Sequence, residues 1–302
     1  MSDSKQIFPT DFVTCMLIVN DMSPLTTVSI QSILNRSHCK IFIGFVNQAD
    51  IDRLPKSDRI EYVNLREIEN TSELPTVSKN NYQNFGSSGF YEIVMLKWKL
   101  IRYSLQKVNK FVIYCDVDVV WLKDAASIVN ITLDEMLHIN VLLQSFTKFP
   151  NDPLLCMGFV AIRKSDVSFD FLRICEEKHK ILALKDSRIG DDEIATYVYK
   201  EMKQPYWLLE LPQSTFPVGN FINLYSKRNR FPGMYLHEPI IFHSNYVIGL
   251  RSKVLLLQVF LGRHDRKEFG IARRPSFYFF YYYLKTRFLI SKIKTFRMES
   301  MP

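Results

Sequence analysis

Residues 111–124 read FVIYCDVDVVWLKD. Phe111 to Cys115 form an apolar run of strand length, and the run ends on Asp116 and Asp118 with a single residue between them. A strand this apolar belongs in the interior of a sheet. Alternation along it would put both aspartates on one side, at the edge of a low-dielectric core where two like charges repel. A divalent cation resolves that repulsion, and hard carboxylate oxygens select Mg²⁺ or Mn²⁺, ions that such sites share with substrate phosphates. The competing reading is turn or cap chemistry, for which an isolated D-x-D triplet is common.

The flanking sequence extends the strand into a domain. FVTCMLIVN (12–20), KIFIGFVN (40–47) and IEYVNL (60–65) have strand length and composition, and TTVSIQSILNRS (26–37) has helical spacing. In FYEIVMLKWKLIRYSLQKV (90–108), Phe90, Val94, Ile101, Leu105 and Val108 recur at helical intervals, and this helix runs directly into FVIYC. The order β-α-β-β-α-β predicts an α/β fold with a mainly parallel sheet and helices on both faces. In such sheets ligands bind beyond the carboxyl ends of the strands, where Asp116 and Asp118 lie.

At 302 residues and 47% hydrophobic content the chain can build one large domain around a real core. Its charge is unevenly placed. Residues 263–302 carry ten Lys or Arg against three acids, which is seven of the net +8, together with the aromatic block FYFFYYYLKTRFLI (277–290). That asymmetry predicts a compact body over 1–262 and a basic aromatic tail over 263–302. The tail suits either a final helix packed on the body or attachment to a membrane surface, where aromatics sit at the interface and cations meet anionic headgroups. Single-stranded nucleic acid would use the same residue types, but no nucleic-acid partner is expected. Five cysteines, odd in number and set mostly in apolar runs, form neither a disulfide framework nor a zinc site. With no signal-like N-terminus and no apolar run of spanning length, the expectation is a cytoplasmic protein, with peripheral membrane association through the tail as its variant.

YCDVDVVWLKD resembles the D-x-D signature of GT-A (Rossmann-like) glycosyltransferases, in particular the nucleotide-diphospho-sugar transferase group, family 77, and more distantly the glycogenin-like family 8. The likeness continues in order through LLCMGFVAIRKS (154–165), GDDEIATY (190–197) and FHSNYVIGLRSK (242–253). It implies a metal-dependent transfer from a nucleoside-diphosphate sugar, UDP being the expected base carrier, to a glycan, lipid-linked or protein acceptor, with retention of anomeric configuration. Carried over by position, Asp116 would contact ribose and metal, Asp118 would be the principal metal ligand, and His243 would be a third ligand or hold the diphosphate. Lys253, following Asn245 and Gly249, would neutralise the diphosphate as it leaves. Lys97 and Lys99 compete for the diphosphate-facing position on the preceding helix, Asn20 and Asp21 stand where the base is contacted, and Gly158 is the central glycine. Asp191 or Asp192 would bind donor sugar hydroxyls, although GDDE is also a fitting helix cap before Ile194.

The chain departs from the pattern in two places. Cys156 and Met157 precede Gly158 where relatives often have asparagine, and Asp192 and Glu193 replace the usual Asp-Gln. Sugar specificity is therefore not carried over. Two alternatives remain open at the level of sequence. One is a Mg²⁺-dependent phosphatase that resembles the haloacid dehalogenases and uses Asp116 and Asp118, with GDDE as its late acidic pair. The other is a GT-A-like binding protein without turnover.

Overall fold

The computed structural model describes residues 10–19, 23–47, 51–68, 90–145, 154–186, 189–203, 205–218, 239–245 and 250–265. Nine strands and seven helices follow one another among these residues: β1 (Thr10–Ile18), α1 (Ser23–Arg36), β2 (Lys40–Phe45), β3 (Ile60–Asn64), α2 (Leu65–Ile68), α3 (Phe90–Lys107), β4 (Val108–Cys115), β5 (Val119–Trp121), α4 (Ala125–Glu135), β6 (Val141–Ser145), β7 (Leu155–Arg163), α5 (Asp166–Ala183), α6 (Asp191–Glu201), β8 (Leu208–Glu210), β9 (Ile241–His243) and α7 (Leu250–Asp265).

Seven strands form one sheet in the order β3-β2-β1-β4-β7-β6-β8, and β5 pairs with β9 in a separate two-stranded sheet. All of the large sheet runs one way except β7, which lies antiparallel to both β4 and β6. The fold is thus the mainly parallel α/β sheet expected from the alternating elements. Period-two alternation divides the core into two layers. From β4, Phe111, Ile113 and Cys115 face the layer shared with α1, α4 and α7, whereas Val112 and Tyr114 face the layer shared with α3, α5 and α6. Residues that approach β4's carboxyl end therefore arrive from both faces of the sheet.

Local chemistry sets the element ends near that point. Asp124 caps α4 by accepting from the Ser127 amide (3.3 Å) and hydroxyl (2.6 Å), an interaction that typically contributes about 1 kcal/mol. Gly190 is the N-cap of α6, and Glu193 Oε2 accepts from its amide (3.1 Å). The helix starts at Asp191, three residues before the expected Ile194, because the acids of GDDE favour its positive end. No helix among the described residues is long and apolar enough to cross a membrane. The expected domain boundary at 262 falls within α7, and the tail from residue 266 lies outside the described residues.

Candidate functional site

β4 stops at Cys115, and the Asp116 amide donates to the Gly158 carbonyl (2.8 Å), one further step of the β4–β7 ladder. The Val119 amide then donates to the Asp116 carbonyl (3.1 Å), closing a turn. The two aspartates accordingly lie in a turn and do not alternate along a strand, which corrects the expectation from periodicity: the turn, not the pleat, makes their carboxylates converge. β5 resumes at Val119 and pairs it with His243 of β9. Both the amide (2.9 Å) and the hydroxyl (3.1 Å) of Ser244 donate to the Asp118 carbonyl. On its other side, β5 is held by α1. Ser29 Oγ donates to the Val119 carbonyl (2.5 Å), and the Trp121 amide donates to Ser32 Oγ (2.9 Å), so the polar backbone of this short buried strand is satisfied from two directions.

One ligand atom from each of Asp116, Asp118 and His243 lies within 4.8 Å of the others. His243 Nε2 is 3.1 Å from Asp118 Oδ1 and 3.9 Å from Asp116 Oδ2. Asp118 and His243 are buried, whereas the Asp116 side chain keeps 32% exposure, so the cluster opens to solvent past Asp116. Gly158 is required by close approach: a Cβ there would sit 2.0 Å from His243 Cε1. The glycine in LLCMGFVAIRKS thus makes room for the imidazole.

Two ammonium groups flank the carboxylates. Lys253, on the first turn of α7, donates to Asp118 Oδ2. Burial would raise the Asp118 pKa, but the Lys253 and His243 side chains outweigh it and hold the carboxyl well below the usual range. Lys97, buried on α3, donates to Asp191 Oδ2 and lies 3.2 Å from Asp116 Oδ1. It also sits 4.5 Å over the Tyr114 ring, whose hydroxyl donates to Asp116 Oδ1 (2.9 Å). Burial would lower the Lys97 pKa, but Asp116 and Asp191 reverse this and raise it above the ordinary lysine value. Asp192 Oδ1 accepts from the Met157 amide (2.6 Å); burial and the neighbouring Asp191 push its carboxyl well above the usual range.

Of the residues singled out in the sequence, Asp116, Asp118, His243, Lys97, Lys253, Asp191, Asp192 and Gly158 come together around this point. Lys99 is two residues beyond Lys97, about 200° further round the helix, and does not share its face. Lys253 belongs to a helix and pairs with Asp118. Asn20, Asp21 and Gly249 lie outside the described residues. Two participants escaped notice. Tyr114 looked like one more apolar strand residue. Gln144, wholly buried near the end of β6, accepts at Oε1 opposite His243 Nδ1 (3.1 Å); the signal available was a lone amide interrupting the apolar run VLL.

Two carboxylates and an imidazole at these separations form a donor set that fits a divalent cation, and Asp116's exposure leaves the open coordination side that a substrate needs. Comparison with known proteins gives the lineage. Residues 58–257 match the family profile "Nucleotide-diphospho-sugar transferase", a span that holds the D-x-D turn, Gly158, the GDDE segment, His243 and Lys253. The chain belongs to the nucleotide-diphospho-sugar transferase family. Among curated members, UDP-D-xylose:L-fucose alpha-1,3-D-xylosyltransferase 3 of Arabidopsis thaliana is 22% identical over 198 residues, 62% of this chain, and the chain spans about half (51%) of that protein's length. Mouse xyloside xylosyltransferase 1 superposes with a TM-score of 0.51 at 12% identity, covering 78% of this chain and 98% of its own. The galactosyltransferase LgtC does so with a TM-score of 0.51 at 9% identity, covering 82% and 96%. The structural likenesses show the GT-A fold, in agreement with the family.

Proposed function

We propose that the protein is a metal-dependent glycosyltransferase that moves a sugar from a nucleoside-diphosphate sugar, with UDP as the nucleotide, to a glycan acceptor with retention. The observation that carries this reading is the convergence of Asp116, Asp118 and His243 between Lys97 and Lys253 at the carboxyl end of β4. Three carboxylates (Asp116, Asp118, Asp191) face two ammoniums, a balance near −1 that a divalent cation turns to +1. Such a site matches the two negative charges of a sugar-nucleotide diphosphate. The imidazole in the donor set favours Mn²⁺ over Mg²⁺. When bound, the cation supplies charge stabilisation to the departing diphosphate.

The chain's own residues divide the remaining work. Lys253 adds positive charge beside Asp118 for the leaving diphosphate, in a site dry enough to strengthen the interaction. Lys97 holds Asp116 and Asp191 together, so that the metal turn and the first turn of α6 keep a fixed spacing. Asp191 and Asp192, anchored through one oxygen each by Lys97 and the Met157 amide, offer their second oxygens to donor hydroxyls. None of these groups is an evident nucleophile toward the anomeric carbon, and the leaving phosphate is the base available to the acceptor hydroxyl on the same face. Because the named relatives include two xylosyltransferases, UDP-xylose is the first donor to try. The fold and the family leave the phosphatase reading without support.

The experiment is release of UDP from a panel of UDP-sugars with Mn²⁺, with EDTA and Asp118→Asn as controls. Metal-dependent release from one sugar nucleotide supports the proposal. Hydrolysis of a generic phosphate ester with no response to any nucleotide sugar would reinstate the phosphatase.

A further inference from the structure

Gln144 is wholly buried at the carboxyl end of β6, far in sequence from every residue it serves. Its Nε2 donates to two backbone carbonyls, Phe216 (3.1 Å) and Pro217 (3.3 Å). Carbonyl oxygens only accept, so the end of the amide that faces them must be the NH₂ group. The other end, Oε1, is then an acceptor and lies 3.1 Å from His243 Nδ1. An acceptor at that distance calls for a proton on Nδ1. Nε2 stands 3.1 Å from Asp118 Oδ1 and 3.9 Å from Asp116 Oδ2, carboxylate oxygens that accept from it; with the Nδ1 proton held by Gln144, the Nε2 proton is the one a cation would displace.

The other neighbours of Nδ1 are more weakly placed. Cys156 Sγ is 3.6 Å from Nδ1 and 3.9 Å from Gln144 Oε1, and Asn245 Nδ2 donates to that sulfur (3.7 Å). These are longer, softer contacts than the amide's. Burial pushes the Cys156 thiol well above its usual pKa, so it remains a neutral S–H and brings no competing charge. The far side of the ring is closed by the backbone of Gly158, against which only a hydrogen fits. Different groups act on the ring: Gly158 and the β5–β9 pairing place it, and Gln144 Oε1 stands as the acceptor for a proton on Nδ1.

We infer that Gln144 is a positioning residue for the cation site: the Phe216 and Pro217 carbonyls lock its amide, and the amide in turn holds His243 as the Nδ1–H tautomer with Nε2 presented to the ion. The inference rests on the reading of Asp116, Asp118 and His243 as cation ligands. Partners that fix a ligating histidine through its second nitrogen typically change metal affinity about 10- to 100-fold when removed. A second consequence is a link between the cation and the 211–218 segment, since that segment reaches the ion's ligand through one amide.

The test combines two readouts on the purified full chain. Nitrogen-15 NMR of histidine-labelled wild-type protein with saturating Mg²⁺, a diamagnetic ion, reports which His243 nitrogen keeps its proton, with His243→Asn used to assign the signal. Mn²⁺ binding followed by electron paramagnetic resonance is compared for wild type and Gln144→Leu. The expected result is an Nδ1–H signal in wild type and about 10- to 100-fold weaker Mn²⁺ binding in Gln144→Leu with loss of the single tautomer. An Nε2–H tautomer in wild type overturns the inference, as does unchanged Mn²⁺ affinity in Gln144→Leu. If wild type binds no Mn²⁺ while His243 is Nδ1–H, the cation reading fails and the proposed role of Gln144 toward an ion falls with it, but its orienting of the ring stands. The tautomer readout needs no variant of Gln144 and so survives a misfolded one.

Discussion

Lys97 of α3 bridges Asp116 of the D-x-D turn, at 3.2 Å, and Asp191 at the start of α6, from a position buried beneath the Tyr114 ring. One ammonium thus ties together two loops that are 75 residues apart in the chain. Removing it would leave two carboxylates facing each other in a desolvated site. Lys97→Met is expected to destabilise the fold by about 3–5 kcal/mol, the usual cost of orphaning a buried charge, read from urea unfolding. Lys99→Met, on another side of the helix, should cost less than about 1 kcal/mol.

Gly158→Ala is predicted to act through His243 and not through the backbone. The added methyl meets the ring at 2.0 Å, so the imidazole must turn or β9 must retreat. A loss of about 1–3 kcal/mol is expected by chemical denaturation. Mn²⁺ affinity should fall in parallel, because the displaced atom is a proposed ligand.

The strand, the D-x-D position and the alternating order of elements were all legible, since each depends on a local apolar period or on adjacent residues. Distant pairings were not. That His243 would join Asp118 follows from β5 and β9, three-residue strands about 120 residues apart, too short to carry a period. The resemblance supplied His243; the physics of the sequence alone could not. Lys97 and Lys99 could not be separated until the helix had a buried side, and Gln144 passed as an ordinary strand residue because its partners, Phe216, Pro217 and His243, all come from later segments. Where alternation was applied past the last strand residue, to Asp116 and Asp118, it described the wrong local structure, because the chain turns there.

A pH dependence is expected away from the site. His179, fully buried, accepts from Trp98 Nε1 at Nδ1 (3.4 Å) and donates from Nε2 to the Ile189 carbonyl (3.1 Å). Burial lowers its pKa below the ordinary 6.5, and the Ile189 carbonyl offsets this only in part. The unfolded chain therefore binds the proton more readily than the folded one. Stability should be constant with respect to this group above about pH 6.5 and decline as pH falls from there to the lower folded value, then level off. Urea midpoints measured from pH 8 to 5 should show a slope in wild type that is smaller in His179→Gln.

Retention of configuration is the expected stereochemical outcome once an acceptor is found. Proton NMR of the product, recorded before mutarotation or on a glycoside, should show the donor's anomeric configuration preserved. An inverted product would require a general base positioned on the opposite face and would displace the assignment of the leaving phosphate as the proton acceptor.

The most direct test of the central claim is calorimetric titration of UDP into the protein with Mn²⁺, with EDTA, and with Mn²⁺ in Asp118→Asn. The account predicts binding that requires Mn²⁺ and weakens by about 100-fold or more in the variant, since a ligating carboxylate buried against Lys253 and His243 is lost. UDP bound equally well in EDTA, or equally well by the variant, would mean that Asp116, Asp118 and His243 do not form a cation-assisted diphosphate site.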